Sequence, residues 1–464
     1  MMERLDSIDY DEETDGITVM DDGSVVIDMS EDDELGEDSY QDEEDEFSRN
    51  LAEDMSEAEM TAVSIPLLEK IDADITGRSD WVDMYARGMD ILGLKHEEMT
   101  SPWPGACGAH SPILTEAAVR FQAETIQETF PAAGPVKTKI LGEETPEAME
   151  RAERVRTDMN HYLTEDMPEY REEHEMMLFN LGVSGAAFKK IYPHPRLKRP
   201  VAPFVPAEDL IVPYGASNLD TAPRVTHVLR RDVKEMLELQ RDGFYRVCDL
   251  GEPVSYQSDV EKTKAEIAGH EVVALGDDRH VLYEIHTDLF LPGIDDIDKD
   301  HTAIMPEDNR YADDVSHDEV MVPKPYVVTI DKHSQKVLAI RRNWTEGDRN
   351  YQKQQHFVQY SYVPGIGFYG LGLVHLIGDY AMTGTALVRQ LIDAGTLANL
   401  QAGFKTRGLR TTEGKDEPLK PGEFRDVDVP SGSIRDNLLP LPFKEPSQVL
   451  MALLEKITAD GRRL

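Results

Sequence analysis

The stretch SPWPGACGAHSP, residues 101–112, crowds Trp103, Cys107 and His110 into a Gly- and Pro-rich turn that opens directly onto a helical pattern. A cysteine nucleophile acts as the thiolate. It needs a base within hydrogen-bond reach and a lowered pKa, conditions often met at a helix N-terminus. Cys107 and His110 meet the first requirement of position. No nucleophile signature surrounds the cysteine, however, and no third residue can be named to orient the histidine. The favoured reading is structural: a small residue in a tight turn, with Trp103 packed and the glycines reversing the chain.

Two further stretches imitate binding motifs. GIGFYG, Gly365 to Gly370, matches the spacing of a phosphate-cradling loop, follows a strand-like run and opens a helix. A dinucleotide site wants its acid at the end of the next strand. Asp393 lies at a suitable distance but still on the helix, and Phe368 and Tyr369 would crowd a pyrophosphate. DIDKDHTAIMPE sets Asp296, Asp298 and Asp300 in alternation with Glu307 at loop position twelve, partly like a calcium loop. His301 replaces the expected glycine, and Pro306 stands where a closing helix would begin. The favoured readings are a glycine-mediated close approach and a solvated acidic loop. The fourteen histidines show no metal-ligand spacing, and neither a P-loop nor a serine elbow is present. These residues suggest no catalytic centre, metal or cofactor.

The elements that would position these residues can be read from periodicity. SDWVDMYARGMDILGL gathers Trp81, Met84, Tyr85, Ile91 and Leu92 near one helical face. Ser111 reads as a cap with Pro112 at the first helical position, and Leu114, Ala117, Ala118, Phe121 and Ile126 form the stripe that follows. Thr145 and Pro146 repeat the device, and a third helix runs through YREEHEMMLFNLGVSG. Residues 187–345 change to short Val-, Ile- and Tyr-rich runs, with RRDVKEMLELQRDG a short helix between strands and TIDKHSQKVLAI a hairpin. Residues 371–394 form a long helix with Leu373, Ile377, Tyr380, Leu387 and Leu391 near one face. Short strands fill 395–445, and a last helix begins at Pro446. The expected class is α+β.

The 464 residues leave room for two or three domains, and 40% hydrophobic content supports substantial cores. No run approaches the roughly 18 apolar residues that span a bilayer, so no membrane partner is expected. The N-terminus has neither the basic nor the apolar region of a secretory leader. Two cysteines, Cys107 and Cys248, are too few for a disulfide framework and fit a reducing compartment during folding.

Net charge is −42. Residues 1–60 hold 25 acids against 2 arginines, so residues 1–62 read as an acidic arm that is disordered or ordered only on a partner. The remainder is acidic too, and such a body repels nucleic acid over most of its surface. Residues 395–445 differ, with 8 Lys/Arg against 8 Asp/Glu. The bases Lys405, Arg407, Arg410, Lys415, Lys420 and Arg425 make this segment a candidate for docking or for contact near DNA; ion pairing between subunits is the alternative.

The loop and helix SPWPGACGAHSPILTEAAVRFQAETIQETFPAAGPVKTKI resemble the portal proteins of tailed bacteriophages, the type found in short-tailed phages and many siphophages. The order that follows is similar as well: LFNLGVSGAAFKKIY, PFVPAEDLIVPYGASNLDTAPRVTHVLRR, YVVTIDKHSQKVLAIRRNW and GFYGLGLVHLIGDYAMTGTALVRQLIDAGTLAN. The similarity runs from about residue 75 to the end and rests on the order of structural motifs.

The resemblance implies a non-enzymatic homo-oligomeric ring, usually of twelve subunits, in the virion at one capsid vertex, assembled in the host cytoplasm. The ring would pass double-stranded DNA during packaging and ejection. Implied partners are the terminase large subunit, a head-tail adaptor and the major capsid or scaffolding protein. It further implies a portal-type subunit: an α/β wing at 63–370, a first stem helix at 371–394, a small β-containing clip at 395–445 and the start of a second stem helix at 446–464. Tunnel loop and crown are missing, so the chain reads as C-terminally incomplete. Two other readings stay open: a nucleotide-binding enzyme using the GIGFYG loop, and another capsid assembly or scaffold protein.

Overall fold

The computed structural model describes residues 17–19, 25–27, 47–94, 99, 103, 105–194, 197–254, 258–269, 279–291, 323–348, 350–365, 367–399, 403–405, 410–411, 427–428, 438–440 and 445–463. It divides into two compact units, residues 1–49 and 50–464. In the first, β1 (Ile17–Val19) pairs antiparallel with β2 (Val25–Ile27).

The second unit opens with helices. A 3-10 turn at Leu51–Glu53 leads to α1 (Glu57–Gly77) and α2 (Ser79–Ile91). Then come α3 (Ile113–Thr129), α4 (Pro146–His161) and α5 (Glu169–Ser184). Thr145 caps α4 as its type suggests, its hydroxyl accepting the Ala148 N–H at 3.2 Å. Gly185 ends α5 at φ 94°, a conformation that favours glycine.

Strands follow: β3 (Ala186–Lys190), β4 (Tyr192–His194), β5 (Arg199–Val201), β6 (Phe204–Pro206), β7 (Leu210–Ile211) and β8 (Arg224–Asp232). Two short helices, α6 (Val233–Arg241) and α7 (Asp259–Ile267), precede β9 (Arg279–Leu289), β10 (Lys324–Asp331), β11 (Val337–Arg342) and β12 (Phe357–Ser361). The last part holds α8 (Leu373–Asn399), then β13 (Gly403–Lys405), β14 (Arg410–Thr411), β15 (Val427–Asp428) and β16 (Leu438–Pro440), and α9 (Gln448–Gly461).

The main sheet is an antiparallel meander, β11-β10-β9-β8-β7, and a smaller sheet orders β12-β3-β6. Helices segregate from strands, which makes the chain α+β as expected. Tyr85, Met89, Leu114, Val183, Val260 and Ile377 join α2, α3, α5, α7 and α8 in one core. A second core lies around Phe188, Val205, Leu210, Val225 and Phe357 between the sheets.

Two expectations are revised. Order does not begin near residue 63, because residue 62 falls inside α1. Ser56 and Glu59 form a capping box at its start, and the buried Asn50 already bonds the main sheet. The acidic composition hid a helix whose acids serve its N-terminus. Ser111 does not cap α3 either. Pro112 occupies the N-cap position, and the buried Ser111 instead donates its N–H to Thr385 Oγ1 at 2.9 Å.

Candidate docking site on a helix pair

Helix α8 carries the sequence's expected stripe inward: Leu373, Ile377 and Leu387 are buried, while Tyr380 and Leu391 are partly so. The Cys107 loop docks along this helix. Asp393 Oδ1 accepts the Cys107 N–H at 2.8 Å, Arg389 Nε donates to Ala109 O at 2.9 Å, and Arg389 Nη2 donates to His110 Nε2 at 2.8 Å. Gly384 gives Ser111 room, since an added Cβ would meet its Oγ at 3.0 Å. His110 therefore answers to Arg389 across the seam. The Cys107 sulfur accepts the Ala109 N–H at 3.4 Å. Gly105, at φ 86°, makes the reversal that the half-buried Trp103 precedes. The loop delivers α3 to α8.

The last GIGFYG glycine, Gly370, and the neighbouring Gly372 serve the opposite end of α8, where the helix begins. A Cβ on Gly370 would meet Gly185 O and Val363 O at 3.1 Å, and one on Gly372 would meet Val183 O at 2.3 Å. Phe368 stacks on Phe188 with ring centroids 5.8 Å apart. Tyr369 stacks on Trp81 at 4.5 Å and donates its hydroxyl to Leu210 O at 2.9 Å. Both aromatics fill space that a phosphate cradle would leave open. The acidic segment containing Asp296, Asp298, Asp300 and Glu307 lies outside the described residues.

Helix α9 returns antiparallel to α8. Gly395 near the end of α8 faces Pro446 just before α9, and Gly461 at its far end faces Tyr380 and Ile113. Arg462 Nη2 donates to Glu116 Oε2 of α3 at 2.9 Å. The insertion between the helices has a nested backbone: β13 pairs with β16 outside, and β14 pairs with β15 inside. Lys405 stands opposite Leu438 and Arg410 opposite Asp428 in the registers. Arg407, Lys415, Lys420 and Arg425 lie outside the described residues.

A buried polar network that the sequence pattern did not announce ties the two sheets together. Lys190 Nζ on β3 lies 2.7 Å from Glu284 on β9, and His286 Nε2 lies 2.8 Å from the same carboxylate. Burial pushes Glu284 up, but the Lys190 charge and the His286 hydrogen bond outweigh it, holding the carboxyl well below its usual range. Burial and the nearby Lys190 charge depress the His227 imidazole to about 3. Glu284 and His286 sit two apart on a strand and read as its solvated face. The second sheet covers them, with Phe357 against His227 and His286.

Among the described residues, no group of three or more His, Cys, Asp or Glu is placed to hold a metal ion, and no helix is long and apolar enough to cross a membrane. No protein-family model matches the chain, and no curated protein matches it.

Proposed function

We propose that this chain is a portal-type subunit: one segment of a ring that gates double-stranded DNA at a capsid vertex. In this reading the α+β body is the wing, α8 and α9 are the stem, and the nested ribbons between them are the clip. The observation that carries the reading is the antiparallel return of α9 along α8 around a charge-balanced insertion, in the motif order of the resemblance. The net charge of −42 supports it, because a conduit must let its polyanionic cargo slip past. The bases of the insertion then serve docking of a terminase motor and later of a tail adaptor.

Negative-stain electron microscopy of the purified 52.3 kDa chain tests the proposal. Rings with a central hole are expected, of roughly twelve subunits by the resemblance. Monomers at all concentrations, or closed shells and filaments, would overturn it. A thermal shift with nucleotide that vanishes in a Gly367→Val variant would favour the nucleotide-binding alternative instead.

A further inference from the structure

Strand β12 meets the face of the main sheet through titratable rings. Of its five residues Phe357 is the buried one. That ring stands edge-on to His227 of β8 at 5.5 Å and to His286 of β9 at 5.2 Å, centroid to centroid. The residue before it, His356, lies 5.5 Å from His286 and brings its Nε2 within 3.0 Å of Asn343 Oδ1, just past the end of β11. Within its own sheet β12 is an edge, paired with β3 alone, and its Val358 is exposed.

The charges around these rings are already matched. Lys190 of β3 pairs with Glu284 of β9 at 2.7 Å, and Arg231 of β8 pairs with Glu235 of α6 at 2.5 Å. Arg341 of β11 adds a further cation near Tyr245. Burial raises the Tyr192 and Tyr245 hydroxyls, so both stay neutral. Neither carboxylate is left over for an added imidazolium, since each already faces a base. Burial is the chief cause that holds all three imidazoles below their ordinary range, to about 3 for His227. At each ring the Lys190 charge adds to this and Glu284 opposes it.

We infer that β12 is an acid-released latch: proton uptake by His227, His286 and His356 frees this edge strand from the face of the main sheet, which itself stays folded. Once Phe357 withdraws, water reaches the three rings and each recovers its ordinary basicity. Below about pH 6.5 the released form then takes up protons that the closed form excludes. Release gains about tenfold per pH unit for each ring that stays neutral while closed. The latch is separate from the α8–α9 insertion and does not depend on the portal reading.

Hydrogen exchange of the full chain at pH 7.5 and pH 5.5, corrected for the chemical exchange rate, tests this. The opening constant of the β12 amides is expected to rise at least about tenfold at the lower pH, the contribution of His227 alone. The amides of β10, at the centre of the main sheet, are expected to change less than about threefold. His227→Gln is expected to remove about tenfold of the rise, and His356→Gln part of it, with circular dichroism at pH 7.5 reporting that each variant folds. His356 is only half-buried, so its variant carries the test if the His227 variant unfolds. No rise at β12 overturns the inference. So does an equal rise at β10, which marks global unfolding, or an undiminished rise in the folded variants.

Discussion

The Asp393 carboxylate accepts the backbone N–H of Cys107 at 2.8 Å, joining residues 286 apart in sequence. Two motifs that looked like rival chemistries thus hold each other. A charged acceptor removed from a part-buried N–H costs about 1–3 kcal/mol. Asp393→Ala is expected to lose that much in urea denaturation, and Asp393→Asn less. Cys107→Ser is expected to lose at most about 1 kcal/mol, because the cysteine enters this bond by its main chain. A larger loss at Cys107 than at Asp393 would refute the assignment of roles.

Lys190→Met leaves Glu284 buried without its cation. Removing one partner of a buried pair costs about 3–5 kcal/mol. Both side chains are about one-eighth exposed, 12% and 13%, so little solvent screening applies. The double variant Lys190→Met/Glu284→Leu is expected to recover most of the loss. Denaturation midpoints of the two variants that coincide would contradict the pairing.

Acid is expected to weaken the fold early. His227 is depressed to about 3 and His174 to about 4, in both cases chiefly by burial. A depressed imidazole stays neutral when folded while the unfolded chain takes up a proton below about pH 6.5. Stability is therefore full above that pH and falls as pH drops toward the folded values, by about 1.4 kcal/mol per pH unit for each histidine. Paired carboxylates lose their contribution only below about 4.3. Melting temperatures between pH 7 and 5 read the histidines against an opposing contribution from Asp209, whose buried carboxyl is pushed up to about 6 and takes up its proton first in the folded chain. His227→Gln is expected to flatten the slope, and an unchanged slope would exclude this residue as its source.

Asn50 stitches the start of the second unit to β11. Its Nδ2 donates to Leu338 O at 3.0 Å, and its Oδ1 accepts the N–H groups of Ile340 at 3.0 Å and Ala52 at 3.1 Å. Asn50→Ala exposes buried polar groups to no partner, so a loss of about 2–4 kcal/mol is expected. A loss below about 0.5 kcal/mol, the range of surface changes, would show that the contact is incidental.

If the proposed portal reading holds, the triple change Lys405→Glu/Arg407→Glu/Arg410→Glu weakens binding of a terminase or adaptor, more at low salt, with folding unchanged. Variants that bind normally yet fail to form rings would assign these bases to contacts between subunits.

What the sequence made legible was local. Thr145 capped its helix, the α8 stripe turned inward, and the 326–344 run folded back as β10 and β11, because each depends on residues a few positions apart. The long-range decisions were hidden. Ser111 abandoned its cap because Thr385 lay within reach after folding, and Glu284 and His286 became interior only when a second sheet covered them. The helix at Glu57 was readable from its Ser56 to Glu59 spacing, yet the surrounding acids argued more strongly for an unstructured arm. Arg78, which no motif marks, gained its position from three carbonyls of a turn some 130 residues away.

The closeness of Gly395 to Pro446 has a consequence for modularity. The chain leaves α8 and enters α9 at the same end of the helix pair, so the insertion closes on itself at that end. Lengthening such a closed excursion is cheap in entropy, about 0.6 kcal/mol for each doubling. The segment between α8 and α9 is thus a cassette whose length can change at little cost to the two helices that carry it.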